Sequence, residues 1–359
     1  MKKRISCAVF LLILLVFMLA GCASRYACFL SASGTQKTVM QELFGLLERY
    51  TSPADAEARF VVNTQIIDIF TDAELDQKKI QFLLSVTAAF PDDPYNAYYL
   101  TIVAQTYHQS GADIFAKYYY ERVVKNYPDL LFRNEYLHKY CLEQIALIAT
   151  KPEDRRFAYQ ELLNRFYNSD PEKQANALFH LARSYEATSE WTAAMNTYRD
   201  FIALPKVVIP GYPNAHERAV EKLSMYEAPP EWVVHDLHVL VSRIKTAIAE
   251  KDVETLNKYR AKGYFFSISW EQKRTDEKAF YAAQNVAEYL GNFLVRSDVH
   301  TADTLDIDSS ASEAYLRTEN WQFKIHSTWY FYFRKVEFGP DPDINGGWEW
   351  TGIYFGEKL

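Results

Sequence analysis

The sequence predicts a chain in two parts, an all-α array of helical hairpins followed by a small α+β domain with a bent antiparallel sheet. Three observations carry that reading. From about residue 36 to "EAPPEW", Glu227 to Trp232, Gly and Pro are sparse and apolar residues recur at helical spacing. Within that stretch the sequence resembles itself at a fixed period. Beyond the paired prolines the spacing turns to period-two alternation, and six of the seven tryptophans appear there. These shifts bound the array at 36–228 and the second domain at 229–359.

Before the array, Lys2, Lys3 and Arg4 precede an unbroken apolar run that closes on "LAGCAS", Leu19 to Ser24. The run is short for a spanning helix and has the layout of a secretory signal, predicted over 1–21. "LAGC" resembles the bacterial lipobox. The resemblance implies cleavage before Cys22, acylation of its thiol and amino terminus, and a lipid anchor that is effectively permanent once two or more chains are attached. Residues 22–35 then form a lipidated tether. Ala23, in place of an Asp that would signal inner-membrane retention, points to the periplasmic side of the outer membrane. Loss of the signal removes three cations and leaves 36 Lys+Arg against 46 Asp+Glu, a net of −10. So acidic a chain is unsuited to nucleic acid. Cys28 in the tether and Cys141 in a helix make no disulfide framework, and Cys141 reads as a small buried apolar residue.

The period is clearest in "NAYYLTIVAQTYHQSGADIFAKYYYERVVKNYPD", Asn96 to Asp129. Small Ala104 and Ala116 let two helices approach, Tyr107 and Tyr120 fill the gaps between them, Gly111 turns the chain and Pro128 stops the second helix. The stretch resembles a tetratricopeptide repeat. The same frame fits from Ala175, with Ala182, Tyr185, Ala194, Tyr198 and Phe201. A weaker copy begins at Lys139, where Ala149 replaces an aromatic, Arg165 takes an apolar position and Pro171 an irregular closing one. Another begins at Phe60, with Ile67 and Lys79 where small residues belong. Repeats are therefore expected near 60–93, 97–130, 139–172 and 175–208. A helix around Gln36 to Tyr50 precedes them and a capping helix over 214–228 follows. Leu131 to His138 is extra and is expected to lengthen a helix. "LPKVVIPGYPN", with three prolines in nine residues, is an extended loop.

The resemblance to tetratricopeptide repeats implies a partner-binding face on the first helix of each pair. Carried over residue by residue, its positions are Tyr98, Thr101, Gln105 and His108, then Tyr140, Glu143, Leu147 and Thr150, then Asn176, Phe179, Arg183 and Glu186. Aromatic, amide and charged groups in this mixture suit a peptide or a partner helix. Together with the lipobox, the repeats resemble those of bacterial tetratricopeptide-repeat lipoproteins. That resemblance implies a non-enzymatic scaffold binding an envelope protein, with no cofactor.

After Trp232, Val233 to Gly263 reads as a long helix and a short one, "YFFSISWE" as a strand and Asp276 to Phe293 as a helix. Strands are expected over Leu294–His300, Glu313–Thr318, Gln322–Phe338 and Trp348–Phe355. In the longest, Phe323, Ile325, Ser327, Trp329, Phe331 and Phe333 alternate with Lys324, His326, Thr328, Tyr330, Tyr332 and Arg334. This order of elements resembles the cone-shaped nuclear transport factor 2-like superfamily. It implies an alternative function, a ligand or catalytic pocket near Trp329 or His326.

Other patterns are weaker. "DPDINGGWE" starts like a calcium loop but has Gly352 where a bidentate Glu is needed, so Asn345-Gly346-Gly347 reads as a hairpin turn. His235 and His238 lack a third ligand at useful spacing. The acids of "HTADTLDID" read as a solvated loop able at most to bind a cation. No phosphate loop or nucleophile elbow is present.

Overall fold

The computed structural model describes residues 26–30, 35–271, 286–322 and 327–358. The expected signal, Cys22, the first part of the Asp276–Phe293 helix and the start of the Gln322–Phe338 strand, His326 included, lie outside them. The chain packs as two units, Met1–Phe166 and Tyr167–Leu359. An all-α hairpin region precedes a domain that joins helices to a five-stranded sheet.

The first unit holds a leading helix and three hairpins: α1 (Thr35–Leu47), α2 (Ala56–Asp72) with α3 (Asp76–Ala89), α4 (Asn96–Gln109) with α5 (Asp113–Asn126), and α6 (Leu137–Ile148) with α7 (Pro152–Arg165). Small residues sit where helices meet. Ala104, Ala116 and Ala158 are fully buried, and so is the gap-filling Tyr120, while Tyr107 is half-buried. Two of the turns need a left-handed residue, supplied by Glu74 (φ 55°) and Gly111 (φ 75°). Lys79, at a position expected to be small, is buried, its ammonium bonded to Asp76 at 2.9 Å and Thr71 at 3.3 Å. The irregular Arg165 is also used: its guanidinium contacts His138 at 2.9 Å and Asp129 at 3.3 Å. Arg59 and Asp93 form a buried pair at 2.7 Å that ties the start of α2 to the turn before α4, with the guanidinium over the Phe90 ring at 4.2 Å.

Two expectations are corrected in this unit. Of the segment Leu131 to His138, only Leu137 and His138 join a helix, as the start of α6. Leu131–Phe132 (β1) and Glu135–Tyr136 (β2) form a two-residue antiparallel hairpin whose turn, Arg133 (φ 49°) and Asn134 (φ 66°), has both residues left-handed. The expected tether is also not free throughout its length. Tyr26 and Phe29 are buried, Tyr26 stacked on Phe44 at 5.2 Å and Phe29 edge-on to Phe82 at 5.6 Å, because an aromatic pair next to an apolar helical face is driven out of water.

The second unit opens with α8 (Pro171–Ala187), α9 (Trp191–Ala203) and α10 (Ala215–Glu227). Pro171 starts α8 rather than closing α7, with the Asp170 carboxylate capping the amide of Lys173 at 3.1 Å. Then come α11 (Leu237–Ala249), α12 (Val253–Tyr259), β3 (Phe266–Ser269), α13 (Val286–Arg296), β4 (His300–Thr301), β5 (Glu313–Glu319), β6 (Trp329–Lys335) and β7 (Trp348–Phe355). Leu294–Arg296, expected in a strand, ends α13, and the strand is confined to His300–Thr301. Within the described residues the long strand spans Trp329–Lys335 only.

The sheet order is β3-β7-β6-β5-β4, and it is mixed rather than wholly antiparallel. Strands β4 to β7 are antiparallel neighbours, whereas β3, separated from them by α13, joins the far edge parallel to β7. The alternation read along β6 sorts its side chains to two faces. Trp329, Phe331 and Phe333 join Leu316, Trp350 and Ile353 under α11, α12 and α13. Tyr330 and Tyr332 lie with Phe266, Ile268 and Tyr354 on the opposite face, which is buried as well. A bulge between Tyr332 and Phe333 lets Trp350 and Ile353, three residues apart, share the helix-covered face. Gly352 is required: a Cβ there would lie 2.7 Å from the Phe266 ring.

The helices that open this unit are fastened to its sheet. Met225 and Trp232 pack with Val336, Phe338 and Ile344. Arg334 on β6 donates to Glu221 on α10 at 3.2 Å and to the fully buried Glu349 on β7 at 2.7 Å. Burial pushes the Glu349 carboxyl up despite the attraction of Arg334. The Gly339 backbone rests against Trp191, where a Cβ would meet the indole at 3.1 Å.

Candidate functional site

The positions expected to face a partner fall into three groups. Thr101 and Phe179 are buried and build the core. The Thr101 hydroxyl donates to the Ala97 carbonyl at 2.8 Å and touches the Cys141 sulfur at 3.6 Å. Cys141 is fully buried, and burial pushes its thiol up to about 12, which leaves an inert apolar side chain. Phe179 packs on Tyr212 at 5.1 Å and Phe201 at 5.5 Å. Neither side chain is presented to solvent, because a helix carrying bulky neighbours on both sides buries more than one stripe.

A second group is half-covered by segments that sequence periodicity could not place. Tyr98 lies under the inserted hairpin, 4.6 Å from the Phe132 ring and 5.2 Å from Phe60. Burial raises its phenol above the usual range. Arg183 is exposed, with its guanidinium flat over Tyr212 at 4.4 Å. The proline-rich loop delivers that ring through a turn at Ile209–Tyr212, where Gly211 takes φ 77°. Glu186 accepts from the Tyr198 hydroxyl at 3.1 Å and from Lys222. His108 pairs with Asp113 at 2.7 Å at the head of α5.

The third group is open. On α6, Tyr140, Glu143 and Leu147 are spaced by three and four residues and so lie on one helical face, the first two half-buried, while Tyr136 precedes the helix at the end of β2. Tyr136 is 49% exposed and Leu147 72%, with Thr150 exposed beyond them. Gln105 and Asn176 are partly exposed. Tyr136 escaped the repeat frame because it belongs to the insertion, although its four-residue spacing from Tyr140 was a usable signal. A second exposed apolar group, Ile114, Phe115 and Tyr118, lies on α5.

Among the described residues no group of three or more His, Cys, Asp or Glu side chains is placed to hold a metal. The loop that started like a calcium site is a turn: the Asn345 side chain accepts from the Phe338 amide at 2.9 Å, and Gly346 has φ 78°. His235 is spent on the Asp343 carbonyl at 3.1 Å, while Asp236 caps α11 through the amides of His238 and Val239. The acids Asp306 and Asp308 are held by Lys358 at 2.7 and 3.0 Å.

Residues 176–206, which form α8 and α9, match the tetratricopeptide repeat family. Comparison of the chain with curated proteins finds no match. The fourth hairpin is thus similar in sequence to a tetratricopeptide repeat, a helix pair of the kind seen here, and repeats of this kind generally hold protein partners.

Proposed function

We propose that the protein is an envelope lipoprotein, anchored through Cys22, whose helical repeats act as a non-enzymatic scaffold for a protein or peptide partner. One observation carries the binding part: Tyr136 at the end of β2 and Leu147 on α6 leave large apolar side chains in water on either side of the half-buried Tyr140 and Glu143, positions by which repeats of this family bind. The anchoring part rests on "LAGC" and the apolar run before it. The buried Tyr26 lies four positions after Cys22, a reach of at most about 14 Å. An acylated Cys22 therefore holds the first unit close against the bilayer, on the outer membrane's periplasmic side by the Ala23 reading.

Crosslinking and pull-down from intact envelopes test the scaffold. Tyr136→Ser with Leu147→Asp, and separately Tyr98→Ala with Arg183→Glu, are expected to cut recovery of the partner several-fold while circular dichroism is unchanged. Full recovery with both pairs would remove the reading. Labelling with an alkyne fatty acid tests the anchor, and Cys22→Ser is expected to abolish both label and membrane fractionation. The order of elements in the sheet domain supports the nuclear transport factor 2-like reading. The helix-covered face at Trp329 is filled, however, with that indole stacked on Trp321 at 4.0 Å, and this favours a structural role over a pocket there.

A further inference from the structure

On the opposite face of the sheet, the segment after β7 places an ammonium group inside an aromatic enclosure. Lys358 Nζ lies 4.3 Å from the centroid of Tyr315, 5.3 Å from Trp270 and 5.5 Å from Tyr330. It donates to Asp306 Oδ1 at 2.7 Å and to Asp308 Oδ2 at 3.0 Å. Three π faces and two carboxylates around one nitrogen exceed what a surface ion pair requires. Cation–π contacts contribute about 0.5–1 kcal/mol at exposed sites and roughly 2 or more when desolvated.

The walls are built without Lys358. Trp270 stacks on Tyr354 at 4.2 Å and meets Tyr330 edge-on at 5.3 Å, and Tyr315 packs on Tyr332 at 5.2 Å. Asp306 is fixed through its amide to the Tyr315 carbonyl at 2.9 Å, and its carboxylate accepts the Asp308 amide at 3.1 Å. Burial alone would push the Asp306 carboxyl up, yet the bonds from Lys358 and the Asp308 amide hold it below the usual carboxylate range. By contrast the occupant arrives on a short segment outside the strands. Its other ties include the Gly356 amide to the Thr328 carbonyl at 2.9 Å, the Trp270 indole N–H to the Gly356 carbonyl at 3.0 Å and the Glu357 carboxylate, which accepts from Arg317 and from the Tyr330 and Thr328 hydroxyls, each of these two at 3.1 Å.

We propose that Trp270, Tyr315, Tyr330, Asp306 and Asp308 form a binding site for a primary alkylammonium group, which Lys358 fills in cis as a stand-in ligand. The paired carboxylates set the class, since each needs an N–H donor that a quaternary ammonium lacks. The ammonium of a partner's lysine or of a free alkyl diamine fits the same geometry. A tethered competitor has an effective concentration on the order of millimolar, so the wild-type site answers only weakly to a ligand in solution.

The test titrates the full chain and Lys358→Ala with n-butylamine, 1,5-diaminopentane, Nα-acetyl-lysine methylamide, choline and n-butanol, following the Trp270 indole N–H resonance, assigned by its loss in Trp270→Phe. Lys358→Ala is expected to bind the three amines saturably, at least tenfold more tightly than the wild type, and to lose binding when Asp306→Asn and Asp308→Asn are added. Preference for the lysine amide names a partner's lysine as the source; preference for the diamine names a free amine, and either supports the site. A folded Lys358→Ala that ignores the amines, or takes choline or n-butanol equally well, overturns the proposal. Should that variant not fold, Lys358→Met replaces it, and failure of n-butylamine to rescue folding of both overturns the proposal too.

Discussion

The second and fourth hairpins carry the same pattern of small and aromatic residues and fold into the same helix pair, yet they leave different surfaces in water. In the second, Phe132 of the β1–β2 insertion lies over Tyr98, and Thr101 is sealed against Cys141. In the fourth, a proline-rich turn brings Tyr212 onto Phe179 and Arg183, and Lys222 from α10 takes Glu186. The motif thus specifies how two helices meet. What remains available to a partner is decided by the segment that follows each pair.

The largest effect separates the two at one repeat position. Phe179→Ala removes a buried ring and is expected to cost about 3–5 kcal/mol, whereas Thr101→Ala, at the matching place, costs about 1 kcal/mol. Denaturant unfolding of each variant checks this, and equal small losses would return both positions to the surface. Next, Phe132→Ser uncovers Tyr98 at a cost of about 1–2 kcal/mol from the lost apolar contact. Binding of a hydrophobic dye is expected to rise, and to rise less for Tyr212→Ser, because Phe179 beneath it stays packed against Phe201 and Tyr198.

A pH effect in the first unit follows from one buried ring. Burial lowers the His138 pKa, with Arg165 opposing protonation and Asp129 favouring it. The ring accepts from Arg165 through Nδ1 and so donates Nε2–H to the Tyr127 carbonyl at 3.0 Å. The unfolded chain then binds the proton first, so stability falls as pH drops below about 6.5 and levels off below the lowered folded value. Tm measured between pH 5 and 7.5 should flatten in His138→Gln. The smallest effect lies in the turns: Ser189, at φ 59°, occupies in the fourth hairpin the left-handed place that Gly111 fills in the second. Ser189→Gly is expected to stabilise by about 0.5–1 kcal/mol and Gly111→Ala to destabilise by about 1 kcal/mol. Paired thermal melts decide it.

Hairpin positions were legible because they follow from a local rule: an apolar stripe at helical spacing, small residues at the crossing and a turn residue between. The reading of Ala104, Ala116, Ala182 and Ala194 needed nothing beyond neighbours in sequence. Exposure was less legible. Lys79 stands where the repeat expects a small residue, and it is buried there because its long stem reaches Thr71 and Asp76 from inside the helix pair. Leu131 to His138 reads as an insertion that lengthens a helix, but Arg133-Asn134, both tolerating a left-handed turn here, close a hairpin over Leu131–Tyr136 before the helix begins at Leu137. Tyr330 and Tyr332 read as the polar face of a strand, and they are buried because the second face of the sheet is covered by other aromatic rings.

By itself, then, the sequence determined the order of the elements, the change from helical to alternating spacing near Glu227–Trp232 and the fourth repeat, all of which depend on residues close together in the chain. Only the tertiary structure decided that α8 to α10 pack in one unit with the sheet, through Arg334, Glu221 and Glu349. The same holds for which first-helix positions stay open, and for Lys358 lying in a cage formed by Trp270, Tyr315 and Tyr330. Each of these joins residues far apart in sequence, and burial and charge pairing act on distance in space, which no local period records.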